Sequence, residues 1–173
     1  DDYGIERVKI IGKIGEGPFT SVFAGTNRDD KLQAIKIPKT ELAHRLDHCQ
    51  VFLSDAKQAF DLSHPNIASI TDFGFWKQGV PFYSMDPIEA PSLRRFAKSN
   101  NAITENALSI IFGQICSTLD AAHKKSLVHR HLTPTNIFVR PGLSILVADF
   151  CVHHDGRYHF ELQEPISEPN PFQ

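Results

Sequence analysis

The order of apolar and polar positions divides the 173-residue chain into a strand-rich first part and a helical second part. "VKIIGKI" (8–14), "FTSVFAG" (19–25) and "LQAIKI" (32–37) are short runs rich in β-branched and aromatic residues, separated by "GEGP" and "TNRDD". Such residues suit a half-buried pleated surface and the separators carry turn-forming types, so the runs predict three antiparallel strands. Val51, Phe52, Ala56, Ala59 and Phe60 then recur at the spacing of one helix face, with Asp47 as the expected N-cap. "ASITDFGFWKQGVPFYSMD" (68–86) returns to strand character on both sides of a "KQG" turn, which adds two more strands.

From about Ser92 the pattern is helical. Leu108, Ile111, Ile115, Leu119 and Ala122 form a long apolar stripe over 104–126, with Thr104 as the expected N-cap. Gly113 interrupts it at a cost of about 1 kcal/mol relative to Ala, too little to end the helix. "VHRHLTPTNIFV" (128–139) is a polar loop with apolar ends, and "LSILVADFC" (143–151) is a short β run closing on an acid. The tail "VHHDGRYHFELQEPISEPNPFQ" is polar and Pro-rich toward its end, which predicts loop or disorder.

Composition narrows the classes. A formal charge of −2 gives no electrostatic reason to expect nucleic acid as a partner. Cys49, Cys116 and Cys151 are odd in number and widely spaced, which fits a reducing, cytoplasmic compartment better than a disulfide framework. No run approaches the roughly 18 apolar residues of a membrane span. The opening "DDYGIERV" has neither Met nor the apolar core of a signal peptide, so a piece of a longer chain is expected, this segment being cytoplasmic.

Taken singly, the chemistry-bearing stretches are weak. "GEGPFTSV" suits a tight hairpin as well as a phosphate cradle, in which glycines let backbone N–H groups approach phosphate oxygens. A lysine ending "AIK" is ordinarily just solvated. Cys151, His153, His154, Asp155 and His159 match no standard zinc spacing. Order changes the weight of these matches. The chain runs Gly15-x-Gly17-x-x-Thr20-x-Val22, Ala34-Ile35-Lys36, a helix, "HPNI" (64–67), "VHRHLTPTN" (128–136) and "ADFC" (148–151). This series resembles the protein-kinase signature of Gly-rich loop, strand lysine, catalytic loop and metal-binding Asp-Phe-Gly, most closely the eukaryotic-like serine/threonine kinases of bacteria.

The resemblance implies an α+β, two-lobed protein-kinase-like fold: a five-stranded antiparallel N-lobe sheet with one helix (1–86), then a mainly helical C-lobe (87–151), truncated after Cys151, and a tail (152–173). It implies ATP and Mg²⁺ as ligands. Gly15 and Gly17 would form the phosphate loop, Lys36 the α/β-phosphate contact, Asp55 its partner on the helix, and Asn136 and Asp149 the Mg²⁺ ligands. Val22, Ala34, Met85 and Phe138 would enclose the base, with "PFYSMDPIEAPSL" as the hinge between lobes. Ala59, Ile70, His129 and Phe150 would stack between lobes, and Arg130 would dock an acidic or phosphorylated segment or cap the loop.

Several positions depart from the family pattern. The third glycine is Thr20, the helix acid is Asp55 rather than Glu, and Cys151 replaces the last glycine of Asp-Phe-Gly. His131 stands where the family has its Asp base, and Thr133 where it has a phosphate-contacting lysine. A positioned base contributes about 10²–10⁴-fold, so these changes predict a pseudokinase that binds nucleotide without efficient transfer and acts in signalling or scaffolding. An imidazole with the reference pKa near 6.5 is mostly neutral at pH 7, which keeps open a divergent kinase using His131. A structural interaction domain with an empty pocket is the third class. Without covering helices, the 104–126 face is expected to meet a protein partner or a second copy.

Overall fold

The computed structural model describes residues 7–17, 19–43, 45–99 and 103–150. The strand signals of the first part become β1 (Val8–Glu16), β2 (Thr20–Asn27) and β3 (Leu32–Pro38). A short helix α1 (Thr40–Ala43), which carries no sequence signal of its own, precedes α2 (Leu46–Phe60). Then come β4 (Ile70–Trp76) and β5 (Val80–Met85), joined by a turn at Lys77–Gly79 with positive φ at Gln78 and Gly79. All five strands form one sheet in the order β1-β2-β3-β5-β4, and every pairing is antiparallel.

Two expectations for α2 are corrected. Its N-cap is Arg45, without a side-chain cap bond, and Asp47 lies inside the first turn, where its charge still favours the helix dipole. There Asp47 takes a 2.8 Å hydrogen bond from the Arg45 guanidinium. Cys49, Phe52, Asp55, Ala56 and Ala59 are the buried face, whereas Phe60 is 46 % exposed. The helix is therefore rotated so that an acid, Asp55, faces inward.

Register decides which side chains share the face beneath α2. Val22 lies opposite Lys36, Lys36 opposite Tyr83, and Ala34 opposite Met85. Directly opposed residues project to the same side, so Val22, Ala34, Lys36, Tyr83 and Met85 line one face. Phe52 of α2 packs on Tyr83 with ring centroids 5.3 Å apart. Val8, Ile35, Ile37 and Phe82 form the cluster on the other face. Gly25 on β2 lets β1 approach closely, because a Cβ there would sit 2.5 Å from the Lys9 carbonyl oxygen and against the Ile35 side chain of β3.

The second part holds α3 (Leu93–Ser99) and α4 (Glu105–His123), followed by a small hairpin of β6 (Ile137–Val139) and β7 (Ile145–Val147). Thr104 caps α4 by accepting a hydrogen bond from the Ala107 amide, as expected. The buried face is Ile111, Ile115, Thr118 and Ala122, while Leu108 of the expected stripe is 37 % exposed. β6 had no strand signal, and the later β run is shorter than expected. Both parts share one core, in which Phe52, Ala59 and Ile70 join Ile111, Ile115, Val147 and Phe150.

Candidate nucleotide and catalytic site

The glycine-containing turn lies between β1 and β2. Gly15 pairs with Val22, and the Gly17 amide donates to the Thr20 carbonyl at 2.7 Å. A Cβ at Gly15 would meet only Val22 at 3.7 Å, and one at Gly17 only Thr20, at 3.5 Å. The protein's own packing therefore does not require glycine at either position, and the space a Cβ would take is free for an approaching ligand. Glu16 between them is held by Lys13 and Lys39, whose hydrogen bonds keep its carboxyl below the usual carboxylate range.

Lys36 reaches from β3 to Asp149, which follows β7, and the two form an ion pair whose side chains are only 12 % and 15 % exposed. Asp149 has φ of +69° and Arg130 has φ of +59°, conformations sparsely occupied by L residues and common at functional sites. Asn136 ties the polar loop to this strand end. Its carbonyl accepts from the Ala148 amide at 2.9 Å, and its side-chain Nδ2 donates to the His131 carbonyl at 2.9 Å. His129 is 3 % exposed, hydrogen-bonded through Nε2 to the Ala148 carbonyl at 2.8 Å and stacked on Phe150 at 4.6 Å. Burial pushes its imidazole pKa down, against the Ala148 hydrogen bond and the Asp149 charge, which pull it up.

Asp55 departs from its expected place. The ion pair of Lys36 is with Asp149, and Asp55 on α2 instead faces Arg130, with Oδ1 4.0 Å from Nη1. Arg130 thus meets an acid from α2, a contact that nothing in the sequence pattern signals.

His131 and Thr133 occupy the tight part of the loop. The His131 amide donates to the His129 carbonyl at 2.7 Å, and the Asn136 amide to the Thr133 carbonyl at 3.0 Å. Thr133 and Thr135 share a 2.6 Å hydroxyl contact. The structure brings Lys36, Asn136 and Asp149 together at the end of β7. Val22, Ala34 and Met85 lie on the adjoining sheet face, and Phe138 sits on β6, bridged to Ser92 of the interlobe segment. Among the described residues, no three His, Cys, Asp or Glu side chains converge on a metal position. Cys151 and the histidine-rich stretch after it lie outside the described residues. Oxygen donors from one carboxylate and one amide fit a hard cation that also takes ligands from a phosphate.

The chain belongs to the protein kinase domain family, whose sequence model matches residues 8–165, beyond the Cys151 at which the resemblance was expected to stop. Among its relatives are bacterial serine/threonine kinases. It is 29 % identical over 149 residues to the probable serine/threonine-protein kinase PknB of Lactococcus lactis, covering 85 % of this chain and 24 % of that protein. It is 30 % identical over 147 residues to the serine/threonine-protein kinase PrkC of Bacillus subtilis, covering 84 % and 22 %. The chain thus spans about a quarter of the length of these relatives. The PknI kinase domain of Mycobacterium tuberculosis has the same fold, with a TM-score of 0.70 at 22 % identity over 89 % of this chain and 62 % of that one.

Proposed function

We propose that this chain carries a nucleotide site of serine/threonine-kinase type, which takes ATP with Mg²⁺ between the sheet face of residues 1–86 and the loop at 128–139. The observation that supports this most is the convergence of Lys36, Asn136 and Asp149 from three separate segments. Lys36 offers a fixed positive charge to phosphate oxygens, Asp149 and Asn136 offer oxygens to a divalent cation, and Val22, Ala34, Met85 and Phe138 offer apolar surface to a purine. A cation held there would offset phosphate charge. Lys36 and Asp149 must part for the ligand to enter, so binding is expected to depend strongly on the metal that takes over Asp149.

Two readings of the transfer step share this site. The kinase names of the relatives favour serine/threonine phosphotransfer, with His131 accepting the hydroxyl proton. His131 and Thr133, in place of an acid and a lysine, favour a pseudokinase that signals through binding, its exposed α4 face taking a protein partner. One experiment separates them: radiolabelled ATP, Mg²⁺ and a basic protein substrate, with calorimetry in parallel. Turnover at about 1–100 s⁻¹ that His131→Ala abolishes establishes the kinase. Mg²⁺-dependent ATP binding without turnover establishes the pseudokinase, and absence of ATP binding rejects both.

A further inference from the structure

Lys36 has a bulky neighbour in the sheet. It pairs with Tyr83 on β5, and Tyr83 pairs with Phe73 on β4, so the three form one row across three strands, on the face beneath α2. Each ring of the row meets a ring of the helix. Phe52 lies on Tyr83 with centroids 5.3 Å apart, and Phe60 meets Phe73 edge-on at 5.5 Å. α2 therefore rests on the sheet through two aromatic pairs, and the pair beside Lys36 is closed to water, with Tyr83 0 % and Phe52 7 % exposed.

Asp55 is carried between these supports, three residues after Phe52 and five before Phe60, on the buried side of the helix. Residues three apart are neighbours on a helix surface, so the packing path from Lys36 to Asp55 runs through Tyr83 and Phe52. At its two ends the charges take different partners: Lys36 takes Asp149, and Asp55 faces Arg130 at 4.0 Å. Protein interiors are close-packed and resist compression, so α2 cannot come nearer to Lys36 without displacing one of the two rings. A flexible aliphatic side chain in place of either ring would leave that room.

We propose that Tyr83 is a positioning residue for Lys36: its ring, with Phe52 upon it, props α2 beside β5, so that Asp55 is left to Arg130 and Lys36 to Asp149. Asp149 then has to serve both Lys36 and an incoming cation. The consequence for ligand rests on the nucleotide reading above, whereas the choice of partners is a property of the chain alone.

Double-variant cycles in urea unfolding read that choice without any ligand. In the wild-type background, Asp55→Ala and Lys36→Met are expected to shift the midpoint additively. In a Tyr83→Leu background the two are expected to become coupled, the pair together shifting it by less than the sum of the separate shifts. Tyr83→Phe keeps the ring and should behave as wild type. Phe52→Leu thins the same stack from the helix side and should give the same coupling, which decides the matter where Tyr83→Leu does not fold. In calorimetry, Asp55→Ala is expected to weaken Mg·ATP at least about threefold in the Tyr83→Leu background and hardly at all in the wild type. Additivity in both leucine backgrounds, coupling already present in the wild type or Tyr83→Phe, or an Asp55→Ala effect on Mg·ATP that is the same in both backgrounds overturns the proposal. A wild type that binds no Mg·ATP overturns the nucleotide reading, and the unfolding cycles then still decide the role of Tyr83.

Discussion

Lys36 and Asp149 neutralise each other in a place that water barely reaches, and removing one partner leaves the other charge buried and uncompensated. Lys36→Met and Asp149→Asn should each lower Mg·ATP affinity by about 1.5–3 kcal/mol, the range for hydrogen bonds to charged groups, as read by calorimetry in millimolar Mg²⁺. Asp55→Ala should leave Mg·ATP affinity nearly unchanged in the same calorimetry, because Asp55 faces Arg130 of the 128–139 loop and not Lys36. His129 sets a pH dependence. Its burial lowers the folded pKa below the ordinary imidazole value of about 6.5, so below that pH the unfolded chain binds the proton more readily and stability rises with pH. The contribution is complete above about pH 6.5 and is lost as pH falls toward the folded value. Melting temperature against pH should therefore drop on the acid side, with a shallower slope in His129→Gln.

Single residues set the start of α4 and the close approach of β1 to β2. Thr104 satisfies an amide at the start of α4 that would otherwise lack a partner within the helix, so Thr104→Ala should cost about 1 kcal/mol in urea unfolding. Gly25→Ala should cost about 1–3 kcal/mol or more, since the added methyl meets the Lys9 carbonyl, an unyielding backbone atom, as well as Ile35. An unchanged unfolding midpoint in that variant would show that β1 can move away from β2 freely. α2 has no side-chain cap bond at Arg45, so its start depends on packing of Phe52 and Ala56 rather than on local chemistry.

Across the molecule, one core runs from the sheet through α2 to α4 and the β6–β7 hairpin. Asn66 helps to lock the halves: its Nδ2 donates to the Ile145 carbonyl at 2.8 Å and to Gln114 of α4 at 3.1 Å. Outside this core, Leu108, Ile110 and Phe112 of α4 are 37 %, 42 % and 55 % exposed. Leu108 and Phe112 stand four residues apart on one side of the helix, and an apolar pair exposed in that way favours association. The chain of these 173 residues is expected to self-associate at high concentration by light scattering, and Phe112→Glu to reduce it. No helix among the described residues is long and apolar enough to cross a membrane.

Sequence alone determined the five strands, the two long helices and the run of kinase-like stretches, because alternation, helical spacing and turn residues are local signals. It also placed Thr104 as a cap, since capping needs only a hydroxyl at a helix start. It misplaced the start of α2, whose Asp47 had the right chemistry but sits two residues past the N-cap, in the first turn. β6 was illegible, being three residues long and held by pairing with β7 and by a bridge to Ser92, both distant in sequence or set by the fold. What tertiary structure decided is who faces whom. That Lys36 meets Asp149 and Asp55 meets Arg130 follows from how β3, α2, the 128–139 loop and the end of β7 are brought together, which no spacing in the chain encodes. The Gln33 cluster is of the same kind: Thr71 and Asp86 converge on one amide only because β3, β5 and β4 lie side by side and β4 carries a bulge at Thr71. Local pattern fixes elements, whereas side chains distant in sequence become partners only when burial makes each of them seek one.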